Sequence, residues 1–194
     1  MTYVSDDLRT RTPAPQVIAA TLFCGAMTVL GHLALGPLVA LVFGIAFFGG
    51  LAFWLARPGV VAWARVRIPY FAALAAYVIH RIDEGVSGFV PAMEDLTGRQ
   101  SADVLSAPSI LLVLLSLAWM LSPLLIRKGH PLGHFGAWSL FAAFALVEPW
   151  HFIFPILAPE PYGYFPGMIT APIIIAAGAW GLWRMWAETR PPQP

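Results

Sequence analysis

The sequence predicts an all-α polytopic membrane helix bundle of about six transmembrane helices, with both termini cytoplasmic. Three observations carry that expectation. Of the 194 residues, 59% are hydrophobic and 11% are charged, whereas a soluble domain carries roughly a quarter charged residues. Apolar runs of about 20 residues, the length that crosses a bilayer, recur six times along the chain. Basic residues also fall on alternate connections. Arg9, Arg11, Arg57, Arg65, Arg67, Arg127, Lys128, Arg184 and Arg190 collect on one side; Arg99 lies on the other, with Glu94, Asp95, Asp103 and Glu160. The basic side reads as cytoplasmic, which places the chain in the inner (plasma) membrane as a multi-pass protein.

Taken in order, residues 1–16 form a polar tail with Asp6, Asp7, Arg9 and Arg11. The apolar run that follows is too long for a signal-peptide core and reads as a retained anchor. Residues 17–187 form one transmembrane domain, and residues 188–194 a C-terminal tail. The first two spans, Val17–Leu35 and Pro37–Leu55, are joined only by Gly36 in a tight hairpin. The connection Ala56–Arg67 suits the membrane interface through Trp63 and its three arginines. The third span is Ile68–Gly88, followed by a loop around Gly98 and its neighbouring acids. The remaining spans are Pro108–Ile126, His134–Leu157 and Pro166–Trp186. Pro149 and Pro155 should kink the fifth, because proline removes a helical donor and crowds the preceding turn. The single Cys24 lies in an apolar run and reads as an inert buried thiol.

The polar residues inside these spans are the functional candidates, since an ionisable group in hydrocarbon is costly without a partner. The third helix carries His80, Asp83 and Glu84 at i, i+3 and i+4, which project from one side of a helix. The fifth carries Glu148-Pro149-Trp150-His151, a Glu-x-x-His pair like those of carboxylate-bridged metal bundles. His80 stands twelve positions above the cytoplasmic end of its span and Glu148 fourteen above its own. At 1.5 Å per residue both lie about 20 Å up, in the outer half of the bilayer. His32, fifteen positions into the first span, stands at nearly the same level.

His80, Asp83, Glu84, Glu148, His151 and His32 therefore form the candidate metal ligands, and Glu84 and Glu148 the candidate catalytic bases. Mixed nitrogen and oxygen donors suit a divalent transition metal, zinc or iron with manganese behind them, as one ion or a dinuclear pair. Its charge would offset carboxylates that could not remain ionised alone. A metal-free polar network, with Arg81 as counter-charge, is the alternative. Asp83 could instead face the loop, and His32 could simply pack. His130 and His134 also resemble a ligand pair, but they sit at the cytoplasmic end, about 20 Å below Glu148, and read as interfacial.

This pattern is consistent with a metal-dependent oxidoreductase or hydrolase acting on a small or lipidic substrate. A proton- or cation-coupled transporter and an accessory subunit packed on membrane-protein partners are the rival classes. A formal net charge of +1 gives no case for nucleic acid. Small residues at Gly44, Gly49 and Gly50 allow close helix contact.

Taken together, His80-Arg81-Ile82-Asp83-Glu84, Gly88-Phe89-Val90-Pro91, Glu148-x-x-His151 and Tyr164-x-Pro166-Gly167-x-x-Thr170 resemble the H-x-x-E-E (HXXEE) family of bacterial integral membrane proteins. The resemblance spans roughly residues 68–180, with aspartate at position 83 where the naming motif has glutamate. That family carries no established activity. The resemblance therefore implies an integral membrane fold and a use for these polar positions, without naming a reaction.

Overall fold

The computed structural model describes residues 13–99 and 107–189. The polar N-terminal stretch, Asp103 and Arg190 lie outside the described residues. All regular structure among the described residues is helical. Helix α1 spans Ala14–Leu35 and α2 spans Pro37–Ala56; the two form a hairpin about Gly36, whose N–H bonds to the His32 carbonyl. Both are long and apolar enough to cross a membrane. Helix α3 runs Trp63–Ser87, α4 Phe89–Thr97, α5 Ala107–Arg127 and α6 Pro131–Leu146. A 3-10 segment, Glu148–Phe152, and the single turn α7, Phe154–Leu157, follow; α8, Ala171–Glu188, closes the chain.

Each predicted span meets a helix, with four differences. Helix α3 begins at Trp63 rather than Ile68 and so takes in Arg65 and Arg67, while Arg57 caps α2. The expected loop after Gly88 is partly helical, as α4. The expected fifth helix breaks after Leu146, where Pro149 has no N–H to continue the ladder; Trp150 N–H bonds instead to the Val147 carbonyl, three residues back. The expected start of the last helix at Pro166 is delayed to Ala171, and the five residues between are spent in turns.

Helix α6 is the axis of the bundle. It packs on α2, α5 and α8, and every residue from Gly133 to Phe144 is buried. A helix apolar all round and buried all round needs neighbours on every side. Close approach depends on small residues. A Cβ built on Gly50 of α2 would lie 2.5 Å from the Ser139 Cα of α6. Gly50→Ala must therefore push two helices apart, and it should lower stability by about 1–3 kcal/mol. Thermal unfolding of the detergent-solubilised protein measures that loss.

The outer surface is apolar in turn. Leu22 and Leu33 on α1, Ile68 and Ile82 on α3, Val113 on α5 and Ile173 on α8 are all well exposed. At one end of the bundle Arg57 donates to the Trp186 carbonyl, Arg184 donates to the Arg65 carbonyl, and Arg65 pairs with Glu188. Arg99 lies at the other end, donating to the His32 carbonyl at the α1–α2 hairpin.

His134, expected at the interface, is buried. Its Nδ1 donates to the His130 carbonyl at 3.2 Å and its Nε2 accepts from Val61 N–H at 3.0 Å. It thus ties the α2–α3 connection to the start of α6, while the His130 ring accepts from Leu132 N–H. Both histidines are structural here.

Candidate metal centre

Four side chains from α3 and the 3-10 segment converge at one point. On α3, His80 and Glu84 are one turn apart and face the same way, their Nε2 and Oε1 atoms 3.6 Å from each other. Glu148 and His151 lie in the 3-10 segment, where three residues make a turn and i, i+3 side chains eclipse. The Glu148 Oε2 atom is consequently 3.2 Å from His151 Nε2. Pro149 causes that tighter winding, so the expected kink is what aligns the pair. The two elements meet with His80 Nε2 at 3.1 Å from His151 Nε2 and 2.8 Å from Glu148 Oε2. Glu84 Oε1 lies 3.5 Å from His151 Nε2. His80, Glu84 and His151 are buried, and Glu148 is slightly open at 14%.

The other ring nitrogens are held by the turn segment before α8. His151 Nδ1 donates to the Pro166 carbonyl at 2.7 Å. His80 Nδ1 lies 2.8 Å from the Thr170 hydroxyl, which itself donates to Asp83 Oδ2 at 2.8 Å. An ionised carboxylate only accepts, so the single hydroxyl proton goes to Asp83 and the hydroxyl oxygen takes the proton of His80 Nδ1. Carbonyl and hydroxyl partners thereby fix both neutral rings as Nδ1–H tautomers. Their Nε2 lone pairs then face each other and two carboxylate oxygens.

This array gathers four acceptors, and positive charge among them relieves the crowding of their lone pairs. One proton on His80 Nε2 would serve Glu148 at 2.8 Å and the His151 ring at 3.1 Å; a divalent cation would serve both imidazoles and Glu84 together. The Nε2, Nε2 and Oε1 atoms of His80, His151 and Glu84 form a triangle with edges of 3.1, 3.5 and 3.6 Å. A tetrahedral ion with ligand bonds near 2.05 Å has edges of about 3.3 Å. The His80, Glu84 and His151 group can hold a metal ion, and Glu148 Oε2 lies beside it, 2.8 and 3.2 Å from the two Nε2 atoms.

Comparison of the chain with protein-family models, with curated proteins and with solved structures finds no match. The chemistry of this centre therefore rests on its own atoms.

Two of the expected ligands are placed elsewhere. His32 is exposed on α1, at the hairpin end, and does not reach the cluster. Asp83 is directed to Thr170 and acts on His80 through that hydroxyl. Arg81, the candidate counter-charge, forms an ion pair with Glu84 Oε2.

Other contributors were less visible in the sequence. Gly167 (φ +90°) leaves room for both rings, since a Cβ there would lie 2.7 Å from His151 Nδ1 and 3.0 Å from His80 Cε1. Phe89, Phe154 and Phe165 surround the His151 ring with centroid separations of 5.3, 6.0 and 6.4 Å. The Gly88-Phe89 and Pro166-Gly167 motifs were the available signals, though neither states a contact.

Residues that orient a ligating histidine from behind are commonly worth 10–100-fold in affinity. Thr170→Val removes the partner of His80 Nδ1 while keeping the side-chain shape. It should weaken metal binding by about that factor, with Asp83→Asn producing a smaller loss. Competition against a chelator of known affinity reads both.

Proposed function

We propose that this chain is a six-span inner-membrane protein whose His80, Glu84 and His151 hold one divalent transition metal, zinc or iron, with Glu148 beside it, for catalysis on a small or lipidic substrate. The observation that carries this reading is the pair of Nε2 lone pairs turned inward by their Nδ1 partners onto two carboxylates. The apolar outer surface supports a membrane setting, because soluble domains seldom present so much contiguous hydrocarbon. The clustering of Arg57, Arg65 and Arg184 at one end, with Arg99 at the other, supports cytoplasmic termini. The H-x-x-E-E resemblance agrees with the same polar positions.

A metal bound here supplies Lewis acidity and a means of activating water or oxygen. The protein contributes the rest. Glu84 is held by Arg81 and faces both imidazoles, which leaves it as a ligand. Glu148 touches both imidazoles and is the more open carboxylate, so it is the group placed to take a proton from substrate or water. Burial by Phe89, Phe154 and Phe165 keeps bulk water from His151.

Elemental analysis of the purified protein tests the centre. About one zinc or iron per chain is expected; chelator-resistant protein with no metal would end the proposal. A reporter fused at Arg99 should face away from the cytoplasm, and a cytoplasmic result would overturn the topology.

A further inference from the structure

Beside the centre lies a cavity of about 140 Å³. Its walls are Val42, Phe43, Ala46 and Phe47 of α2 with Leu115 and Trp119 of α5, and its one polar end is the His80–Glu84–Glu148–His151 cluster. The Tyr77 ring also borders the space, its hydroxyl turned away to Ser116 at 2.8 Å. The volume is close to that of an engineered apolar cavity of about 150 Å³ that stays dry and takes up benzene. It therefore accommodates a hydrocarbon unit of about six carbons.

The polar end restricts the headgroup. Among the described residues Arg81 is the only basic side chain other than the histidines along this cavity, and it is paired with Glu84. Glu84 and Glu148 are both engaged with the histidines, so neither is free for an ammonium head. Such a head would be desolvated without a partner at a cost of several kcal/mol, and a cation held by the centre would repel it. An oxygen head, as a hydroxyl, carbonyl or carboxylate, meets the cluster without that penalty.

We infer that the cavity is the binding site for an amphiphile with an oxygen head, an aliphatic alcohol, carbonyl compound or carboxylate, whose hydrocarbon portion lies between α2 and α5 and whose oxygen meets the His/Glu centre. This assignment rests on the metal-centre reading for the role of the oxygen, while the hydrocarbon subsite stands on the cavity alone.

The test uses the full-length protein in nanodiscs and a photoreactive, diazirine-bearing hexan-1-ol. Mass spectrometry should place label on Val42, Ala46 or Leu115, and unlabelled hexan-1-ol and hexanoate should compete. Hexylamine should compete at least about tenfold less well, because it would bury an unpaired charge. Ala46→Leu fills the cavity and should abolish this labelling while metal content stays at the wild-type level. Ala46→Val serves as the milder variant if Ala46→Leu loses metal through misfolding. Label confined to lipid-facing residues such as Val113, or equal competition by hexylamine, would overturn the proposal. If label enters the cavity of a protein that holds no metal, the subsite stands and the metal centre fails. If metal is present but the cavity is unlabelled, the reverse holds.

Discussion

His151→Ala is expected to lower metal affinity by more than about 100-fold, because even a partner behind a ligand is commonly worth 10–100-fold and His151 is itself a ligand. The same substitution removes one of the four inward acceptors and opens space among Phe89, Phe154 and Phe165. Two readouts separate loss of metal from loss of fold. Elemental analysis should find the variant depleted. A chelator should lower the melting temperature of the wild type and leave that of the variant unchanged. The reason is linkage: an ion present at 100 times its dissociation constant stabilises the folded state by about 2.7 kcal/mol, and a protein that binds none has nothing to lose. Glu84→Ala should behave similarly, with an added cost from leaving Arg81 unpaired in a half-buried position. A wild-type protein whose melting temperature ignores chelators would count directly against the centre.

The second large effect is expected at Gly167. Its φ of +90° is a conformation that costs other residues about 1–2 kcal/mol. An added methyl group would also press on both imidazoles, lying 2.7 Å from His151 Nδ1. Backbone cannot yield easily here, because Pro166 precedes it and the Gly167 carbonyl accepts Ala171 N–H at 3.0 Å. The rings must move instead, and Gly167→Ala should lose metal affinity by about 100-fold or more, beyond the range of a lost hydrogen bond alone. Titration with a competing chelator measures it. Thr170→Val affects only His80, so the two variants should differ in severity. Equal effects would mean that the segment acts through the hydroxyl only.

Much of the helical architecture was legible because long apolar runs are separated by polar or proline-bearing connections. The meeting of His80, Glu84, Glu148 and His151 was legible because rise per residue converts position along each run into height. Azimuth was not. Helix α1 is apolar on all sides, so nothing in its sequence indicated that His32 turns outward. Asp83 and Glu84 are adjacent, and adjacent residues on a helix point about 100° apart; only one of them could join His80 at the ion. Glu84 does so, and Asp83 faces the start of α8. The break after Leu146 was foreshadowed by Pro149, but proline alone does not state that a 3-10 winding will stack Glu148 on His151. The late start of α8 was hidden by Pro166, a residue equally suited to a helix start and to the turn it occupies.

That turn has a bearing on biogenesis. His80 is set by Thr170, ninety residues farther along the chain, and His151 by Pro166. Until the final hairpin emerges from the ribosome and docks, both imidazoles can spin and either ring nitrogen can point inward. The inward set of lone pairs that the proposed metal would need is therefore complete only once α8 is in place.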